Sequence, residues 1–221
     1  MGAASARLLA GPGRRLWLLA KRGEMLDAVA RDVRDAGAQA EALPCDLADA
    51  AAVARAFERV GPRVDVLVNA AALPANTVAA AEPAEIMRVM AVNLVGAMLC
   101  AREAALRMPA GGTILNVGSL CVRLRDGGAS LYVAAKLGVA GFTDAFRKEM
   151  APRNIRVVLL NPGQIASGMV TETAAEKRAA VAREAMLTPE EVAEAIRYCV
   201  ELPGRVVVTE MELRPRGQSG L

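Results

Sequence analysis

Tyr132-Val133-Ala134-Ala135-Lys136, with Ser119 thirteen residues ahead of the tyrosine, is the stretch on which the reading turns. A tyrosine and a lysine four apart on a helix share one face. A hydroxyl delivered from the end of a preceding strand meets them there. The three together make a proton-handling site for carbonyl or alcohol chemistry. The chain has two tyrosines and four lysines, so such a pairing is not expected by chance. Taken alone, the spacing also fits an ordinary amphipathic helix. The order of the segments around it decides.

Working outward, the residues at 112–118 include Thr-Ile-Leu-Asn-Val, a strand that delivers Ser119, and a helix follows over about 131–150. A strand at 155–160 is closed by Asn161-Pro162-Gly163. Upstream, a strand at 64–68 ends at Asn69 and leads to a long helix over about 85–108. Before these, a strand at 15–19 precedes Met25, Leu26, Val29 and Val33 at helical spacing, with Gly37 as the stop. A strand around 38–44 ends at Cys45-Asp46, and Val53, Phe57 and Val60 mark the next helix. Pro189 starts a late helix with Val192, Ile196 and Val200, and 205–213 reads as the final strand. Strands alternating with helices predict an α/β fold with a parallel sheet covered on both faces. No repeat or linker interrupts the pattern, so 1–221 reads as one domain.

The composition narrows the chemistry. Histidine is absent, which excludes Ser-His-Asp and Cys-His catalysis and the usual zinc sites; no metal is expected. The net charge is +3 and the basic residues are scattered, so nucleic acid is not an expected partner. Cys45, Cys100, Cys121 and Cys199 form no Cys-x-x-Cys pair and read as buried, reduced thiols, which points to a cytoplasmic protein. No apolar run reads as a membrane span, and no membrane partner is expected. The first 23 residues carry five basic and no acidic side chains, faintly like a transit peptide, but a cut-off helix followed by a strand is preferred.

In this order the residues resemble a classical short-chain dehydrogenase/reductase over essentially the whole chain. Asp46 resembles the family's adenine-contacting aspartate. Asn69-Ala70-Ala71-Ala72 resembles its Asn-Asn-Ala-Gly motif, keeping Asn69 and Ala71. Asn93, Ser119, Tyr132 and Lys136 match the catalytic tetrad. Pro162, Gly163, Ile165 and Ser167 resemble the Pro-Gly-x-Ile-x-Thr segment beside the nicotinamide. The resemblance implies a Rossmann-like three-layer sandwich with a variable substrate lid at about 166–187.

The family's glycine-rich loop, Thr-Gly-x-x-x-Gly-x-Gly, is incomplete here. Its glycines let the backbone approach the cofactor pyrophosphate. One alignment equates Gly2-Ala3-Ala4-Ser5 with the loop's first part and needs a deletion. The favoured one equates Gly2 with the last glycine, makes 3–10 the first helix and Gly13 its turn, and needs no gap. The chain then starts inside the motif, and the strand that should precede it is missing, exposing two strand edges. A misassigned start codon is the leading explanation and a genuinely truncated chain the second.

What the resemblance implies is hydride transfer between a nicotinamide and a ketone, aldehyde or alcohol. Tyr132 is then the acid or base and Lys136 lowers its pKa while holding the nicotinamide ribose. Ser119 orients the substrate oxygen, and Asn93 holds a water that links the lysine to solvent. At the end of the second strand of the family fold, Ala20 stands where NAD-specific members place an acid, and Lys21-Arg22 follow. NADP(H) is therefore the favoured cofactor, with NAD(H) the alternative. Leu120, Cys121, Val122, Leu124 and Leu131 are expected to line an apolar pocket for a small-molecule substrate. A homodimer or homotetramer is expected, paired through Ala101, Ala104, Ala105, Phe142 and Phe146. The alternative function is a non-catalytic member of the family with a binding or assembly role.

Overall fold

Thr113-Ile114-Leu115-Asn116-Val117 has no exposed residue, because helices cover both faces of the strand it forms, β4 (Thr113–Val117). Alternate side chains of a strand point to opposite faces. Ile114 accordingly enters one core cluster and Leu115 another. β4 pairs with β3 (Val66–Asn69) on one side and β5 (Arg156–Pro162) on the other, and β6 (Glu210–Leu213) pairs with β5. A second sheet holds β1 (Arg15–Ala20) beside β2 (Gln39–Pro44), with Arg15 opposite Gln39. Every pair is parallel, so each connection must cross over, which is the work of helices. This computed structural model describes residues 1–75, 77–125 and 127–218.

The helices are α1 (Gly2–Leu8), α2 (Gly23–Asp35), α3 (Ala50–Val60), α4 (Pro83–Met90), α5 (Gly96–Arg107), α6 (Cys121–Leu124), α7 (Ser130–Met150), α8 (Ala174–Ala182) and α9 (Pro189–Glu201). On one face, Val53 and Phe57 of α3 and Ala101 and Ala104 of α5 pack with Ile114 and Val157. On the other, Val192, Ile196 and Val200 of α9 pack with Leu115, Val117, Val158 and Leu160. Ala30 and Val33 of α2 close over Ala40 of β2, with Ala6 of α1. The result is the three-layer α/β sandwich expected. Local chemistry fixes the helix starts. Asp49 accepts the N–H groups of Ala51 and Ala52 at α3, and Thr188 and Glu191 form a reciprocal capping box at α9, with Pro189 in its first turn.

The sheet is divided. Among the described residues β1 and β3 bond to no common neighbour, so each has one edge without a ladder. Leu16 to Ala20 and Leu67 to Asn69 are only half-buried, and Val66 is 42% exposed, whereas β4 is sealed throughout. What joins the halves is helix packing, α3 on α5 and α1 on α9.

Several expectations need correction. The last strand covers only 210–213, since Val206 closes a turn on the Pro203 carbonyl and Val207 stays exposed. The helix expected over 85–108 is α4 and α5 joined by a π-helical turn at Ala91–Val95. By length and composition the span Pro83–Arg107 is apolar enough to cross a membrane, contrary to expectation. Its apolar residues Cys100, Ala101, Ala104 and Ala105 serve the core against β3 and β4. Those alanines therefore do not form a pairing face. The large apolar residues left outside on this span are Met87 (71% exposed), Val95, Met98 (41% exposed) and Leu106 (63% exposed). Phe142 and Phe146 stack on each other at 5.1 Å and pack against the same core.

Amides at an unpaired strand edge lack the partners that slow their exchange. Hydrogen exchange read residue by residue should find the amides of β4 protected. Those of β1 and β3 that point toward the division should exchange much faster. Uniform protection across β1, β3 and β4 would show that the division closes in solution.

Candidate active site

β4 ends at Val117, and the chain then turns through Gly118 to Ser119 against the end of β5. Asn161 of β5 is fully buried. Its Oδ1 accepts the Ser119 N–H at 3.1 Å, and its Nδ2 donates to Glu210 Oε1 at 2.8 Å. Arg123 on α6 donates to the same Glu210 oxygen at 2.8 Å. A Cβ on residue 118 would stand 2.1 Å from Asn161 Oδ1, so the close approach requires glycine. The Leu120 N–H bonds to the Pro162 carbonyl at 2.9 Å, and the Cys121 N–H bonds to Ser119 Oγ at 3.2 Å. The serine is thus held through its backbone and its hydroxyl.

α7 brings up Tyr132 and, one turn on, Lys136. Lys136 is 3% exposed, and its Nζ donates to the Val117 carbonyl at 2.7 Å. Burial lowers its pKa to about 8, with the Cys121 thiol acting weakly in the other direction. Burial, with the Cys121 thiol adding to it, pushes the Tyr132 phenol up to about 12, and the Ser119 hydroxyl acts in the lowering direction. The sequence predicts a phenol lowered by its lysine. Here Nζ lies 5.8 Å from the tyrosine ring centroid, and removal from water outweighs every charge nearby. Tyr132 is therefore a protonated phenol at neutral pH, set beside a hydroxyl that can hold an oxygen for it.

Asn93 is 1% exposed and sits in the π-helical turn. Its Oδ1 accepts the Leu73 N–H at 2.7 Å and its Nδ2 donates to the Leu73 carbonyl at 2.9 Å. Both ends of the amide thus clamp the loop after β3. Asn69 is also tied into the scaffold, donating to the Ala97 carbonyl at 3.0 Å and to Asn116 Oδ1 at 2.9 Å. Ala71 follows it, exposed. Leu120, Val122 and Leu131 are buried, whereas Cys121 and Leu124 keep partial exposure toward any pocket here.

A second group of side chains lies past the ends of β1 and β2. Asp46 Oδ1 meets Arg88 Nη1 at 2.8 Å and Asp46 Oδ2 meets Lys21 Nζ at 3.6 Å. The Ala48 N–H also donates to Asp46 at 3.0 Å. The Arg88 hydrogen bond, then the Ala48 one, hold its carboxyl below the usual range. Arg22 is the cap residue of α2. Gly2 opens α1, facing Ala70 beyond β3. Pro162 ends β5, the Gly163 N–H bonds to the Leu213 carbonyl at 2.7 Å, Ile165 bridges to Leu187, and Ser167 Oγ accepts the Met169 N–H at 3.3 Å. All of these lie at the carboxyl ends of the strands, the edge at which open α/β sheets bind ligands. Sequence reasoning missed Arg88, Arg123, Asn161 and Glu210 as parts of these clusters. Asn161 alone carried a signal, and it read only as a strand terminator.

The short chain dehydrogenase family profile matches residues 1–178. The chain belongs to that family. It is 34% identical over 211 residues to carbonyl reductase family member 4 of Danio rerio, covering 92% of this chain and 87% of that protein. It is 36% identical over 178 residues to a 3-oxoacyl-[acyl-carrier-protein] reductase of Bos taurus, covering 78% of this chain and 74% of that one. A short chain dehydrogenase from Burkholderia cenocepacia, solved in complex with NADP, superimposes with a TM-score of 0.87 at 28% identity, over 97% of this chain and 91% of that one. The family's chemistry is oxidoreduction.

The tight seat of Gly118 gives a test of how Ser119 is held. Gly118→Ala should cost about 1–3 kcal/mol through overpacking. Melting should fall by about 2–4 °C for each kcal/mol. Gly11→Ala, in open space, should leave melting unchanged. Equal melting of both variants would show that Asn161 yields without cost.

Proposed function

We propose that the protein is an NADP(H)-dependent oxidoreductase that interconverts a ketone or aldehyde with the alcohol, with Tyr132 as its acid and base. The observation that carries this is the buried ammonium of Lys136, held on the Val117 carbonyl at 2.7 Å at the strand end that delivers Ser119 and lying 5.8 Å from the Tyr132 ring centroid. The relatives' names, a carbonyl reductase and a 3-oxoacyl-carrier-protein reductase, support carbonyl reduction.

The donor set fits a phosphorylated dinucleotide at both its ends. Lys21, Arg22 and Asp46 suit the adenosine end, and Tyr132 and Lys136 the nicotinamide ribose. Ala20 offers no carboxylate to a ribose hydroxyl, and the cations beside it suit a 2′-phosphate. The NADP complex of the Burkholderia relative agrees with that choice. When bound, the nicotinamide exchanges a hydride with the carbonyl carbon. Ser119 holds the substrate oxygen, and Tyr132 delivers the proton that oxygen needs as it becomes an alcohol. In oxidation Tyr132 takes that proton back. Lys136 keeps a positive charge below the phenol, which favours release of the proton. Asn93 acts from behind by fixing the Leu73 loop. The segment 166–187, with α8, forms the lid.

The protein works as a homodimer or homotetramer in the cytoplasm. Val95, Met98 and Leu106, at helical spacing on one helix, and Leu137 on α7 supply apolar surface for pairing.

Tyr132→Phe should keep nucleotide affinity and lose about 10²–10⁴-fold in ketone reduction, because the hydroxyl serves the reacting oxygen only. Near wild-type turnover would remove Tyr132 from the chemistry.

The pH profile has a definite sign. The folded protein lowers the Lys136 pKa from 10.5 to about 8, so the ammonium dominates below that pH and is lost above it. Tyr132, at about 12, stays protonated throughout this range. Reduction should hold steady below pH 8 and fall as the lysine discharges. A rate unchanged up to 10.5 would show that the charge of Lys136 is not needed.

A further inference from the structure

The Asn161 amide faces two groups of opposite kind. Its Oδ1 accepts the Ser119 N–H at 3.1 Å, and its Nδ2 donates to Glu210 Oε1 at 2.8 Å. The two ends of an asparagine side chain are nearly alike in shape and opposite in hydrogen bonding. Partners, and not packing, therefore decide which end meets Ser119. A carboxylate only accepts, so Glu210 takes Nδ2 and leaves Oδ1 for the serine. Asn161 is fully buried, so water is a poor substitute for either partner. Without Glu210, Nδ2 would be a buried donor with nothing to bond, and such a group costs more than the bond it lost.

The same Glu210 oxygen also takes a hydrogen bond from Arg123 Nη2 at 2.8 Å. Arg123 belongs to α6, which opens at Cys121, just past Ser119. The contacts close a ring: Ser119, the backbone on to Arg123, the Glu210 carboxylate, Asn161, and the Ser119 N–H again. We propose that Glu210, on the edge strand β6, is a positioning residue for Ser119. By holding Asn161 Nδ2 it fixes Oδ1 on the Ser119 N–H, and so sets where the serine hydroxyl meets a substrate oxygen. Arg123 holds the carboxylate in place. The use of Ser119 rests on the carbonyl-reduction reading above. The coupling of Glu210 to Ser119 rests on the contacts alone.

The test separates the contact from its use. Hydrogen exchange at the Ser119 amide, read by NMR without any ligand, reports the contact. Steady-state reduction of ethyl acetoacetate by NADPH reports the use. Glu210→Leu, which offers no acceptor, should speed Ser119 exchange about ten-fold, the scale of one hydrogen bond, and lower kcat by about the same factor with the KM for NADPH unchanged. Glu210→Gln keeps an oxygen that Nδ2 can reach and should recover most of both losses. Glu212→Leu removes a neighbouring carboxylate that serves Arg123 and Arg214, and should leave both readouts as in wild type. Unchanged Ser119 exchange in Glu210→Leu would overturn the proposal, since Asn161 would then hold the serine unaided. Equal losses in Glu210→Leu and Glu210→Gln, or in Glu210→Leu and Glu212→Leu, would overturn it too, because the acceptor at 210 would not be their cause. Faster exchange with an unchanged kcat would remove the positioning role. A wild type that leaves ethyl acetoacetate unreduced would count against the carbonyl-reduction reading alone, and Ser119 exchange would decide the coupling by the same criteria. Should Glu210→Leu lose its melting transition, Glu210→Thr, strand-favouring and too short to reach Nδ2, replaces it in every comparison.

Discussion

A buried ammonium resting on the last carbonyl of a strand sets the geometry of this protein. Lys136 Nζ lies 2.7 Å from the Val117 oxygen with almost no water around it. An unpaired charge in such a place is costly, so the contact fixes where α7 can lie against β4. Tyr132, one turn back, must then stand above the strand end, and Ser119, two residues past Val117, must stand beside it. The same burial that fixes the geometry draws the lysine down to about 8, near the working range of a proton-transfer site.

The rest of the sandwich secures that contact from behind. Asn69 donates to Asn116, Asn116 to Thr143, and Thr143 to the Val139 carbonyl, so a chain of buried polar groups crosses from β3 through β4 to α7. Each member is satisfied, which is the condition under which a buried polar network rigidifies a core. On the far side, Asn161 reads the Ser119 backbone and passes the constraint to Glu210 and Arg123. The site is held by backbone contacts on both flanks, and the Ser119 hydroxyl also accepts the Cys121 N–H.

Ser119, Tyr132 and Lys136 could be read in the sequence because their relation is local: one strand end, one helix turn. The Asn161–Glu210–Arg123 cluster could not, since its members lie 49 and 87 residues apart in pairs and no periodicity marks them. Arg88 escaped for the same reason. α8 carried a signal in Thr173 and Glu176, three apart as a capping box requires, but its alanine-rich turns give little apolar rhythm. The final strand was read too long because Val206, Val207 and Val208 look like strand residues, whereas the turn after Pro203 withholds them from the ladder. The direction of the Tyr132 shift depends on burial, which spacing alone does not reveal.

The divided sheet has a mechanical side. Lys21, Arg22 and Asp46 extend from the two-stranded part, whereas Ser119, Tyr132 and Lys136 belong to the four-stranded part. Among the described residues no ladder crosses between them, so the two ends of a long ligand rest on separate plates joined by helix packing and by side-chain ion pairs such as Asp46–Arg88 and Arg14–Glu201. Such contacts slide more readily than a hydrogen-bonded ladder. A molecule gripping both plates would act as a staple, and part of its binding energy would go into setting their spacing. Affinity for the two halves of such a ligand would then not add independently, because seating one half moves the other half's receptor.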